Sequence, residues 1–134
     1  MEELSGFYGL MELINKSGYT PQQLHQIEQR LINRLVKEYE AKGFRCLVNG
    51  QFFSGIDILV LDKKWELRMA IESTNYSKTS RMHPNTFKRY LQKFSFFKGV
   101  NKLLVISFKC NISKTQWRIF VKYNIRVRVE GFQD

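Results

Sequence analysis

The sequence predicts an α/β domain in which a mixed β-sheet of about five strands is flanked by helices. Three observations carry this. Residues 20–43 show helical periodicity between a strong start signal and a glycine stop. Residues 55–74, GIDILVLDKKWELRMAIEST, read as two apolar runs joined by a tight turn. After them, helical stripes alternate with short apolar runs, so the order becomes helix, strand, hairpin, helix, strand, helix, strand.

Leu4, Phe7, Tyr8, Met11 and Ile14 recur at helical spacing, which predicts a short N-terminal helix in an extension covering 1–19, ahead of a core covering 20–130. Thr20 suits an N-cap, Pro21 the first helical turn and Gly43 a C-terminal stop. Between them Leu24, Ile27, Leu31, Ile32, Leu35, Val36 and Tyr39 fall on one broad face, with Gln26, Gln29, Arg30, Asn33, Lys37 and Glu40 on the other. Phe44 to Asn49 reads as the first strand, with a turn at Asn49-Gly50. Residues 52–62 and 66–74 form the hairpin, turning at Lys64-Trp65. In its first strand Asp57, Leu59 and Leu61 share one face and Ile56, Ile58 and Val60 the other, the pattern of a central strand covered on both sides.

Asn75 to His83 is a polar, basic loop, longer than the median connection. His83-Pro84-Asn85 opens a second helix whose stripe is Phe87, Tyr90, Leu91, Phe94 and Phe97, while Lys88, Arg89, Gln92 and Lys93 lie mostly off it. Lys102 to Phe108 is a buried strand. Ser113 with Gln116 forms a capping box for a short helix through Trp117, Phe120 and Val121, although WRIFV is also β-prone and a strand competes. Ile125, Val127 and Val129 alternate with Arg126, Arg128 and Glu130 as in a half-exposed strand.

At 134 residues and 16.0 kDa, a single domain 1–134 is expected. The 43% hydrophobic and 14% aromatic content excludes a disordered chain. Twenty-two Lys and Arg against 12 Asp and Glu give a formal charge of +10, which favours a polyanionic partner, nucleic acid above all. Cys46 and Cys110 lack a CxxC pair or a His cluster, so free thiols are expected and not a zinc site. MEELSGFYGL has no signal-peptide pattern, and no apolar run reaches the roughly 18 residues of a membrane span. The expected placement is cytoplasmic and nucleoid-associated, with no membrane partner.

Asp57 and Glu72 each interrupt an apolar run. A buried unpaired charge costs several kcal/mol, so such acids need a cation or a donor. With the turn at Lys64-Trp65, facing residue numbers sum to 129, which sets Asp57 opposite Glu72 with Cβ atoms roughly 4.5–5.5 Å apart. Two carboxylates that close repel unless a divalent metal binds between them. Glu28, near the middle of the first helix's apolar face, is either a third carboxylate turned toward the sheet or a residue that snorkels from a packing gap or pairs with a neighbouring Lys or Arg. His25, at the edge of that face, reads as a hydrogen-bonded border residue. Lys88 and Arg89, following the basic loop with its Lys78 and Arg81, suit phosphate contacts.

Glu28 on the first helix, Gly55-Ile56-Asp57 opening a strand and Ala70-Ile71-Glu72-Ser73-Thr74 closing the next resemble the PD-(D/E)xK nuclease superfamily. Within it the chain looks most like the archaeal-type Holliday junction resolvases, through Glu28-Gln29-Arg30 on the first helix and Gly43-Phe44 entering the first strand. The resemblance covers about residues 21 to 130 and implies a restriction-endonuclease-like fold. It also implies hydrolysis of DNA phosphodiester bonds with Mg2+ or Mn2+ held by Asp57 and Glu72, Glu28 as an outer or direct ligand, and a homodimer, since two-fold substrates call for two active sites. The family's second motif is acid, any residue, lysine; here Thr74 stands in the lysine position, and Ile56 replaces the proline before the first acid. Thr74 offers a hydroxyl for the attacking water but no positive charge. Lys63 and Lys64 lie at the far end of the hairpin, roughly 20 Å away at strand rise, which leaves Lys78 or Lys88 as candidates to supply that charge.

Three readings follow: a metal-dependent nuclease acting on branched or structured DNA, a degenerate nuclease-fold protein that binds nucleic acid without cutting it, and an unrelated basic α/β domain whose acids are structural.

Overall fold

The structure is a computed structural model that describes residues 20–48, 55–74, 81–106 and 111–130. The expected N-terminal helix, the Asn49-Gly50 turn, Lys78, Phe108 and Cys110 lie outside the described residues. Helix α1 is Pro21–Ala41, followed by β1 (Arg45–Val48), β2 (Ile58–Leu61), β3 (Leu67–Thr74), α2 (Pro84–Ser95), β4 (Asn101–Ile106), α3 (Lys114–Lys122) and β5 (Ile125–Val129). This is the order expected from the sequence.

Local chemistry sets the helix bounds. Thr20 Oγ1 accepts from the Gln23 amide at 3.2 Å and Gln23 Oε1 accepts from the Thr20 amide at 2.9 Å, closing a capping box on α1. Gly43 ends it at φ 93°, where a side chain would be strained. His83 caps α2 by accepting from the Asn85 amide, with Pro84 in the first turn. Ser113 and Gln116 close a second capping box, so WRIFV is helical. Its β-prone side chains are overruled by that box and by the complete burial of Phe120 on the inner face.

The five strands form one mixed sheet in the order β1-β2-β3-β4-β5, antiparallel across the first two pairs and parallel across the last two. The crossovers from β3 to β4 and from β4 to β5 carry α2 and α3 to one face. There Phe87, Tyr90, Phe94 and Phe120 pack with Ile56, Ala70, Leu104, Ile106 and Ile125. On the other face Leu31, Ile32, Leu35 and Tyr39 of α1 cover Ile58, Val60, Ile71, Leu103 and Val105. At the outer strand Ile125 is buried and Val129 is 48% exposed, and Cys46 is a half-buried free thiol. No helix among the described residues is long and apolar enough to cross a membrane.

The hairpin departs from expectation in two places. Ile58 faces Ile71, Leu59 faces Ala70 and Val60 faces Met69, all in the expected register, but Leu61 faces Leu67 after a shift. The turn is centred on Lys63-Lys64, one residue earlier than expected: the Trp65 amide donates to Asp62 O, Trp65 is left-handed at φ 63°, and Asp62 N bonds Glu66 O. Asp62 Oδ1 dictates this by accepting from the Lys64 and Glu66 amides, giving a three-residue loop with a bulge. At the other end the chain bends at Asp57, so Ile56 joins the α2–α3 core and not the face of Ile58 and Val60. Asp57 therefore precedes β2 and is not a ladder partner of Glu72.

Candidate metal and phosphate site

The site is built where β2 begins beside the end of β3. Gly55, left-handed at φ 77°, and the bend at Asp57 aim the Asp57 carboxylate across at β3. Its Oδ2 accepts two hydrogen bonds from one residue, the Ser73 amide at 2.8 Å and Ser73 Oγ at 2.9 Å. Asp57 is 6% exposed and Ser73 is as deeply buried, so the carboxylate is fixed in a dry setting.

Glu72 is 1% exposed and lies on the α2 side of β3. Its Oε2 receives Lys93 Nζ of α2 at 2.5 Å, and its Oε1 is buried with no hydrogen-bond partner among the described residues. Burial pushes the Glu72 carboxyl up to about 9; Asp57, through hydrogen bonding and charge, pushes the same way, and Lys93 opposes both. Gly55 lies beside this lysine, where an added Cβ would make only ordinary contact with Lys93 Cε at 3.8 Å, so the glycine is required by its left-handed φ and not by space.

Glu28 enters from α1, half-buried. Its carboxyl is pushed up first by burial and then by the charge of Asp57, while His25 and Lys93 act in the opposite sense. Glu28 is thus an electrostatic neighbour of Asp57, and His25, on the same helix, acts on it as well. Residues from α1, the β2 entrance, β3 and α2 thus converge at one end of the sheet. The parallel strands β3, β4 and β5 have their carboxyl ends there, the side where open α/β sheets bind ligands.

Among the expected site residues, Glu28, Asp57 and Glu72 are brought together. Thr74 is the last residue of β3, in register with Ile106, and its side chain is outside the described residues. Arg81, Lys88 and Arg89 are exposed and away from the acids' hydrogen bonds. Lys88 does not supply the cation at Glu72; Lys93 does. Sequence reasoning missed Lys93 and Ser73. The signal for Lys93 was its place about 60° from Tyr90 on the α2 wheel, at the border of the apolar stripe.

Among the described residues no group of three or more His, Cys, Asp or Glu is placed to hold a metal ion. A magnesium site does not require one, because Mg2+ is commonly held by one or two carboxylates plus substrate phosphates and water. Glu72, with its buried Oε1 unsatisfied and Asp57 as a neighbouring carboxyl, fits that donor set.

Comparison with protein-family models and with curated protein sequences gives no match. Among solved structures, the chain is similar to a repair endonuclease from Pyrococcus abyssi, with 16% sequence identity and a TM-score of 0.45 over 75% of this chain. The chain spans 45% of the length of that endonuclease.

Proposed function

We propose that the chain is a metal-dependent nuclease that hydrolyses DNA phosphodiester bonds on branched or structured DNA, with Asp57 and Glu72 as the metal ligands and Lys93 in place of the motif lysine. The observation that supports this most directly is the convergence of two buried carboxylates and one ammonium, with Glu72 Oε1 left without a partner. Mg2+ or Mn2+ bound there would polarise the phosphate and lower the pKa of a bound water.

The chain's own groups have distinct tasks. Ser73 fixes the Asp57 carboxylate through two donors, so the ligand is pre-oriented. Lys93, which holds Glu72 Oε2 in this structure, would supply an ammonium beside the phosphoryl oxygens, where charge develops. Water attacks phosphorus and gives up a proton to solvent, the bond from phosphorus to the leaving oxygen breaks, and the leaving oxygen takes a proton from solvent. Glu28, held up by burial and by Asp57, is an outer group able to carry a proton or orient a ligand. Arg81, Lys88 and Arg89, exposed around the entrance to α2, suit phosphate contacts. A pair of such sites related by a two-fold would suit a four-way substrate.

One observation favours a second reading. Lys93 already neutralises Glu72 without a metal, as expected of a binding protein that has lost catalysis. Incubation with plasmid, flap and four-way-junction DNA in Mg2+ or Mn2+, beside Glu72→Ala, separates the two. Cleavage abolished by the substitution supports the nuclease; DNA binding without cleavage, and without Mn2+ binding that depends on Asp57, leaves the second reading.

A further inference from the structure

The charges of this chain are segregated. From Ser73 to Val129, a run of 57 residues, there are 13 Lys and Arg and not one Asp or Glu. That run supplies all of α2 and α3, the layer on one face of the sheet. Within it, alternation along β5 turns Arg128 toward α1, where Glu38 accepts from it. The cations left on the helices, Lys88 and Arg89 on α2 and Lys114, Arg118 and Lys122 on α3, are exposed. None pairs with a carboxylate among the described residues.

The same surface exposes an aromatic ring: Trp117 is 40% exposed, with Val121 beside it at 69%. Lys114, Trp117, Arg118 and Val121 stand at i, i+3, i+4 and i+7, so cations and the indole share one outer face of α3. The Phe87 and Phe120 rings, 5.0 Å apart, lock α2 against α3, and the Arg81–Asn111 bridge joins the segments that lead into the two helices. The layer therefore starts at the sheet end that carries Glu72.

We propose that the outer surface of the α2–α3 layer docks an unpaired nucleic-acid strand, with a base stacked on Trp117 and phosphates held by Lys114, Arg118 and Lys122; the proposal rests on the nuclease reading for the direction in which the strand leaves the site. Cations without acids complement a phosphate backbone, and an exposed ring among them stacks a base of any kind. A paired duplex hides the faces of its bases, so the ring selects single-stranded segments. A second copy of the chain fits less well, because a two-fold contact through this face would press its own three cations together.

Trp65→Phe leaves Trp117 as the single tryptophan. Its emission should be quenched by an oligo-dT strand and much less by blunt duplex of equal length. Trp117→Ala should weaken oligo-dT binding about 5- to 150-fold, the range of one lost base stack. In the triple variant Lys114→Gln, Arg118→Gln, Lys122→Gln, the slope of log affinity against log salt should fall by about 2. Unchanged Trp117 emission together with unchanged affinity in the triple variant overturns the proposal. So does concentration-dependent dimerisation in sedimentation that Val121→Ala abolishes while oligo-dT affinity stays intact, an outcome that assigns the face to a second copy. Failure of the nuclease reading shows separately: no cleavage in Mn2+, with Trp117 quenching retained, leaves the docking surface standing.

Discussion

The Lys93 ammonium lies 2.5 Å from Glu72 Oε2, joining the last half of α2 to the strand that ends the acidic motif. Glu72 is buried and Lys93 is 30% exposed, so the pair is screened on the lysine side only. Lys93→Met should lower cleavage by about 100-fold or more, the usual loss when one electrostatic donor to a transition state is removed. Lys93→Arg should restore part of the rate, since charge is kept and geometry is not. Single-turnover cleavage at saturating Mn2+ checks both, and a Lys93→Met enzyme with unchanged rate removes the lysine from the mechanism.

Stability in the absence of divalent ions should fall as pH rises. Glu72 is held up to about 9 from an ordinary value of 4.5, chiefly by burial. An acid raised in the folded state binds more protons there than in the unfolded chain, so its contribution is complete below the ordinary value and is lost as pH climbs to about 9. Glu28 is displaced in the same direction. Urea denaturation in EDTA from pH 5 to 9 should show a decline of a few kcal/mol at most, flattened by Glu72→Gln. A flat wild-type profile would show that Lys93 offsets the burial of Glu72 in full.

Much of this was legible in the sequence because the determining interactions are local. Thr20 and Gln23, and Ser113 and Gln116, close capping boxes within four residues, and the hairpin register follows from its apolar pattern. The register slipped where an Asp62 side chain chose the turn, two hydrogen bonds outweighing a residue count. Glu28, Asp57 and Glu72 stood out as acids in apolar company. Lys93 did not, because a lysine on the edge of a stripe looks solvated until the position of α2 on the sheet is known. Ser73 was hidden for a related reason: its partnership with Asp57 depends on the bend that takes Ile56 out of the expected alternation.

Ser73→Ala tests that partnership. The substitution removes the Oγ donor and leaves the amide donor to Asp57 Oδ2. A loss of about 1–2 kcal/mol in stability is expected for one hydrogen bond to a buried carboxylate. Mn2+ affinity should fall about 10-fold or more, because an outer-shell donor that orients a ligand is gone. Calorimetric titration with Mn2+ beside urea denaturation reads the two effects separately, and unchanged metal affinity would show that the backbone amide alone orients Asp57.

Far from the site, Arg128 of β5 clamps α1. Its Nη1 and Nη2 each donate to Glu38 at 2.9 Å, and Glu130 is also paired with Arg128 and with Arg34 of α1. The hydrogen bonds from Arg128 hold the Glu38 carboxyl below its ordinary range. An acid lowered in the folded state contributes stability above its ordinary value of 4.5 and loses it as pH falls through the lowered one, the opposite sign to Glu72. The pair is about one-third exposed, so solvent screening limits it: Glu38→Gln should cost only about 0.5–1 kcal/mol at pH 7. That cost should shrink in 1 M salt and below pH 4, and it should leave Mn2+ affinity unchanged, because the clamp ties α1 to β5 without touching the Glu28, Asp57 and Glu72 group. Urea denaturation of Glu38→Gln across pH and salt, with Mn2+ titration alongside, checks each part; a cost independent of both would assign Glu38 a packing role and not an electrostatic one.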